Sequence, residues 1–166
     1  SLAVVNLNDD GHPSYAFYRD GVADRQVTSA QMNADCHPHA DSIELVCTGA
    51  LALDSRDQDV YLPWLLRQKE MGKCIVVDAN LRPSVMPDLR AYRACVQSFL
   101  AVADIIKISD EDLIALDVQG QTSLEKAQNV LQSTQAKVIA LTLGAEGAWL
   151  LSHTGHTYFE KESSPL

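Results

Sequence analysis

Short apolar runs alternate along this chain with longer stretches in which apolar residues return every three or four positions. The short runs are the pattern of strands, and the longer stretches that of helices facing a core. Cys74 to Val77 is an unbroken, β-branched run with a helix-like segment on either side. It predicts a strand buried on both faces of a parallel sheet. Ile43 to Thr48, Asp104 to Ile108 and Lys137 to Thr142 predict companion strands. One helix is predicted from about Asp57 to Met71, with Val60, Trp64 and Leu65 inward and Gly72 as its stop. Pro87 is expected to open another, with Leu89, Tyr92, Val96, Phe99 and Ala103 at helical spacing. Ser109-Asp-Glu-Asp112 and Thr122-Ser-Leu-Glu125 each fit the capping box that starts a helix, the second helix reaching about Thr134.

Hairpins are predicted at both ends of this alternation. Leu2 to Leu7 and Ser14 to Arg19 read as strands joined by Asn8-Asp-Asp-Gly-His-Pro13, whose Asp10-Gly11 is strong turn chemistry. Alternation puts Tyr15, Phe17 and Arg19 on one face of the second strand. That face either meets a ligand or is the half-buried side of a small sheet. Asp20 to Val27 reads as a turn and strand, and Thr28 to Ala40 shows no clear period. After Lys137 to Thr142 come a glycine turn, Leu143-Gly-Ala-Glu-Gly147, and strands Ala148 to Ser152 and His156 to Glu160 around Gly155. The class is therefore α/β, with a mainly parallel sheet flanked by helices on right-handed crossovers.

A length of 166 residues is enough for one domain with a sizeable core. The net charge of -9, with no basic run, argues against nucleic acid or an anionic membrane as partner. Three of the four cysteines (Cys36, Cys47, Cys74, Cys95) lie in apolar runs, as reduced core residues of a cytoplasmic protein would. Cys36-His-Pro-His39 has no second ligand pair and is a poor zinc motif. No stretch approaches a membrane span, and no signal peptide is visible. Because Ser1-Leu-Ala-Val-Val-Asn-Leu7 already reads as a strand, we expect a fragment.

Polar residues crowd the end of the Cys74 run: Asp78, Asn80 and Arg82. Ligands of open α/β sheets sit beyond the carboxyl ends of the strands, so these three either form a site or shape a turn. The chain has no G-x-x-x-x-G-K-[ST], no G-x-G-x-x-G after a strand and no G-x-S-x-G, which argues against three common chemistries. Thr142-Leu-Gly-Ala-Glu-Gly147 remains, where glycines let backbone amides approach a phosphate.

Four segments in this order resemble the ribokinase-like (PfkB-type) sugar kinases, most closely the fructokinase and 2-keto-3-deoxygluconokinase branch. They are Ala3-Val-Val-Asn-Leu with Gly11 and Ser14 to Asp24, Val77-Asp-Ala-Asn-Leu-Arg-Pro83, Ala103 to Leu113, and Thr142 to Ala148. The resemblance implies a small β lid carrying Phe17 and Arg19 over a sugar. It makes Arg82, with Asp78 and Asn80, the group that meets the sugar or the transferring phosphoryl. Lys107, Ser109 and Asp112 fall where the family organises magnesium and phosphates, although serine and aspartate replace its asparagine and glutamate. A helix-cap role for Asp112 stays open beside the metal role. Thr142, Gly144 and Gly147 would line the nucleotide. The implied cofactors are ATP and Mg2+, and the implied substrate is fructose or, alternatively, 2-keto-3-deoxygluconate.

The family's catalytic aspartate sits in a Gly-Ala-Gly-Asp loop, and none of the eight glycines here forms one. The expectation is the central part of a kinase, inactive alone and self-associating through the hairpin or a sheet edge. The segment at 1–40 would be lid and return, and 41–166 a partial core. The alternative is a non-catalytic nucleotide- or sugar-binding module.

Overall fold

The structure, a computed structural model, describes residues 2–7, 13–19 and 21–160. Strands β1 (Leu2–Leu7) and β2 (Pro13–Tyr18) pair antiparallel as a two-stranded ribbon separate from the main sheet. The turn expected at 8–12 and the side chain of Tyr15 lie outside the described residues. Val4, Val5, Leu7 and Tyr18 are exposed and Phe17 is half-buried, so the ribbon projects from the body.

The main sheet has six strands in the order β3 (Leu45–Gly49), β4 (Cys74–Asp78), β5 (Ile105–Ser109), β6 (Val138–Thr142), β7 (Gly147–Ser152) and β8 (Gly155–Glu160). The first four are parallel and the last two antiparallel. Helices α1 (Ser29–Cys36), α2 (Gln58–Glu70), α3 (Leu89–Val102), α4 (Asp110–Ala115) and α5 (Ser123–Ser133) complete the order. Caps decide their starts. Asp88 accepts from the Arg90 and Ala91 amides, so α3 begins two residues after Pro87. Gly72, at φ +82, ends α2 as expected. Thr122 accepts from the Glu125 amide, but Glu125 reaches back to the Gln121 amide, leaving only half of the expected capping box.

Consecutive parallel strands that neighbour in one direction put all their right-handed crossovers on the same face. That face is sealed: Ile75, Val77, Ile106, Ile108, Ile139, Leu141 and Leu151 are buried under helices carrying Leu65, Tyr92, Phe99 and Val130. The alternate positions are not. Cys74, Val76, Ile105, Val138 and Ala140 stay partly exposed, and Leu45 and Leu150 are 50% and 45% exposed. The expectation that Cys74 to Val77 is buried on both faces is thus corrected. Among the described residues only one face is covered.

Other expectations also change. Cys47, on edge strand β3, is exposed, and of the four cysteines only Cys95 belongs to the buried core. Leu89 faces solvent, and Cys95 and Leu100 complete the inner face of α3. In the stretch Asp20 to Val27, where a turn and strand were expected, the described residues hold a 3-10 turn, Ala23–Arg25, and no strand among them. The segment without a clear period is α1, which has no buried residue. It is held by the Thr28–Gln31 capping box and by Trp64 Nε1 donating to Asn33 Oδ1 at 3.0 Å.

Candidate active site

Strands β3 to β6 end along one edge at Gly49, Asp78, Ser109 and Thr142. Gly49 pairs with Asp78 and Asp78 with Lys107. A Cβ on Gly49 would lie 2.0 Å from the Asp78 carbonyl oxygen, so only glycine allows this approach. Since Val77, Ile106 and Ile108 point to the sealed face, Asp78 and Lys107 point to the open one. Lys107 Nζ lies 3.1 Å from Asp78 Oδ1. That oxygen is buried without a conventional hydrogen bond, so the ammonium balances its charge.

The loop after β4 is gripped by two helices. Asn80 is held at φ +35, outside the range most side chains adopt. The next two amides are fixed: Leu81 donates to Asp112 Oδ1 at 2.7 Å and Arg82 to the Tyr92 hydroxyl at 3.1 Å. Burial pushes the Tyr92 hydroxyl above its usual pKa, partly offset by the Arg82 amide. Asp112 Oδ2 accepts from the Ser109 amide at 2.9 Å, and Ser109 Oγ accepts in return from the Asp112 amide at 3.0 Å. Asp112 is therefore a buried knot joining the β4 loop to the start of α4, with both carboxylate oxygens engaged by amides. No three His, Cys, Asp or Glu side chains come together as a cation cage among the described residues. The Arg82 guanidinium folds onto its own loop, donating to the carbonyls of Leu81 at 2.8 Å and Asn80 at 3.2 Å.

A cavity of about 560 Å³ lies between the end of the ribbon and this loop, lined by Phe17, Tyr18, Arg19, Arg56, Ser84 and Met86. Arg19 is 7% exposed, and its NH1 donates to the fully buried Asp54 at 2.9 Å while NH2 donates to the Leu51 carbonyl at 3.1 Å. Arg56 grips the same carboxylate through Nε at 3.0 Å and NH2 at 2.6 Å. Burial alone would raise the Asp54 pKa. The bonds from the Arg56 side chain and backbone outweigh it and hold Asp54 below the ordinary carboxylate value. Nearby, Arg25 forms a two-point pair with Asp57 at 3.0 and 3.1 Å.

On the far side of the sheet edge, Thr142 leads into a 3-10 turn, Gly144–Glu146. Gly144 has φ +57, and a Cβ there would meet nothing within 4 Å. Gly147 is glycine for another reason: at φ +122, its Cβ would lie 2.2 Å from the Phe159 carbonyl of β8.

The expected site residues thus fall in three groups. Phe17 and Arg19 share the cavity. Asp78, Asn80, Arg82, Lys107, Ser109 and Asp112 gather at the ends of β4 and β5. Thr142, Gly144 and Gly147 stand at the β6–β7 turn. Sequence reasoning missed Asp54, Arg56 and Tyr92. The first two follow a strand's carboxyl end as Asp78 does, and the same rule applied to β3 would have found them.

Residues 1–164 match the family model described as pfkB family carbohydrate kinase, and the chain belongs to that family. It is 32% identical over 165 residues to a fructokinase of Rhizobium leguminosarum bv. trifolii, covering 99% of this chain and 47% of that protein. It is 30% identical to fructokinase-2 of Solanum lycopersicum, covering 89% and 44%. The chain thus spans about half the length of the relatives it matches. Among solved structures, fructokinase with bound ATP from Xylella fastidiosa superposes with a TM-score of 0.78 at 21% identity, covering 99% of this chain and 50% of that one. Fructokinase from Vibrio cholerae O395 with fructose, ADP and calcium ion superposes at 0.76 and 21% identity, covering 98% and 52%. These likenesses establish the ribokinase-like fold.

Proposed function

We propose that the chain is part of an ATP-dependent sugar kinase that transfers the γ-phosphoryl group to a sugar hydroxyl. The observation that carries this is the cavity closed on one side by Phe17 and Arg19 and bordered by the loop after Arg82, beside the carboxyl edge of a parallel sheet. Phosphoryl transfer needs positioning and charge neutralisation more than covalent chemistry. Phe17 would pack against the sugar and Arg19 hold its hydroxyls. Arg82, released from its own loop carbonyls, would offset charge on the moving phosphoryl, and the Asp78–Lys107 pair would stand beside it. The turn at Thr142, Gly144 and Gly147 would carry the nucleotide, with Gly144 leaving room for its approach. ATP is the inferred donor. Magnesium would have to travel chiefly on the nucleotide's own phosphates, as it commonly does.

Fructose is the favoured substrate, as in the similar kinases. The runner-up, 2-keto-3-deoxygluconate, would offer Arg19 and Arg82 a carboxylate. Within this reading residues 1–40 are lid and return segment and 41–166 a partial core, in a cytoplasmic protein. No described helix is long and apolar enough to cross a membrane. The 166 residues contain no Gly-Ala-Gly-Asp, so alone they should bind without turnover and associate through exposed ribbon or sheet surface. A coupled ADP-release assay with both sugars tests this on the chain and on a protein of the relatives' full length. Sugar-dependent ADP release by the long form alone supports the proposal. Release by neither form, with no sugar or nucleotide binding, overturns it in favour of another activity. Binding without turnover by both forms supports the non-catalytic module.

A further inference from the structure

The ribbon is tied to the body just beyond β2, where two carboxylates receive it. Arg19 reaches Asp54 and Arg25 reaches Asp57, both on the short turns between β3 and α2. Asp54 is the more constrained, being fully buried, bonded to the Arg56 amide and side chain, and shared with Arg19. Two guanidiniums therefore converge on one carboxylate at the wall of the cavity. A buried guanidinium without a fixed acceptor is strongly disfavoured, so the carboxylate decides where Arg19 sits.

We propose that Asp54 is the positioning residue of the lid: its carboxylate clamps Arg19 and Arg56 together and so sets the angle of the β1–β2 ribbon over the cavity. The inference deepens the sugar-kinase reading, since the side chain it aims, Arg19, is the one proposed to hold sugar hydroxyls. Asp54 itself is not among the residues lining the cavity, so it would act through Arg19 and Arg56.

The chain has three phenylalanines, which makes 4-fluorophenylalanine labelling and 19F NMR a direct test. Phe17 reports the lid, Phe99 the buried core and Phe159 an exposed edge strand. Phe17→Leu and Phe159→Leu assign the three signals. In Asp54→Asn the Phe17 signal is expected to move toward the solvent-exposed position while Phe99 stays. Arg19→Lys, which keeps the charge but loses the fork, should move Phe17 the same way. An unmoved Phe17 signal in both variants overturns the proposal. Joint movement of Phe17 and Phe99 also overturns it, because Asp54 would then be holding the core at large. In a protein of the relatives' full length, Asp54→Asn should weaken fructose binding on the order of tenfold to a hundredfold, as a misplaced contact does, with a smaller effect on ATP. If fructose binds neither form while Phe17 still moves, the sugar-kinase reading fails and the positioning role stands.

Discussion

Replacing Asp112 tests whether the loop carrying Arg82 is held in place from beneath. Its carboxylate accepts the Leu81 amide at 2.7 Å and the Ser109 amide at 2.9 Å, and the residue is 5% exposed. A hydrogen bond to a charged acceptor is worth about 1.5–3 kcal/mol net. Asp112→Ala removes two and buries both donors unpaired, a loss of roughly 3–6 kcal/mol. Asp112→Asn keeps one acceptor but sets an amide group against the other N–H, so about half that loss is expected. For a domain of this size each kcal/mol lowers the melting temperature by about 2–4 °C, so the alanine variant should melt roughly 6–24 °C lower. Urea unfolding followed by circular dichroism gives the free energies, and calorimetry gives the melting temperatures. An alanine variant within about 1 kcal/mol of wild type would refute the argument, since the loop would then need no such anchor. Magnesium that raises the wild-type melting temperature but not that of the asparagine variant would return Asp112 to cation binding.

Three further outcomes are expected. In a protein of the relatives' full length, Arg82→Ala should lower turnover on the order of a hundredfold while barely moving the melting temperature; equal turnover with a large melting shift would make Arg82 structural. Asp54 has a folded pKa below its unfolded one, so its ion pairs stabilise fully above the usual carboxylate value, 3.8, and are lost as pH falls below it. The stability gap between wild type and Asp54→Asn should therefore be flat near neutral pH and close in acid; a gap that widens in acid would reverse the sign. Burial pushes the Cys95 thiol up to about 11, whereas Cys47 is exposed, so a thiol reagent should take Cys47 early and Cys95 only on unfolding. A single phase for all four thiols in the folded chain would contradict the burial assigned to Cys95.

Most of the fold was legible because strands and helices here declare themselves by period. The run at Cys74 to Val77, the spacing from Tyr92 to Phe99 and the caps at Ser109 and Thr122 each produced the expected element. Helix α1 escaped because it buries nothing, and a helix with no core face has no apolar period to read. The Cys74 run misled in one respect: an apolar run records what a strand can bury, and among the described residues only one face is covered. The candidate site was legible where residues lie close in sequence, as Asp78, Asn80 and Arg82 do. The Arg19–Asp54 pair joins residues 35 apart, and the Leu81–Asp112 bond residues 31 apart. Such pairs depend on the folded path of the chain, and no local pattern announces them.

The sheet order has a consequence for how the molecule is made. From β3 to β8 every strand lies beside the one synthesised just before it. The sheet can therefore grow by accretion as the polypeptide leaves the ribosome, each new strand docking on an edge already formed. From β4 onward, each described strand of this sheet meets a partner that has already been translated.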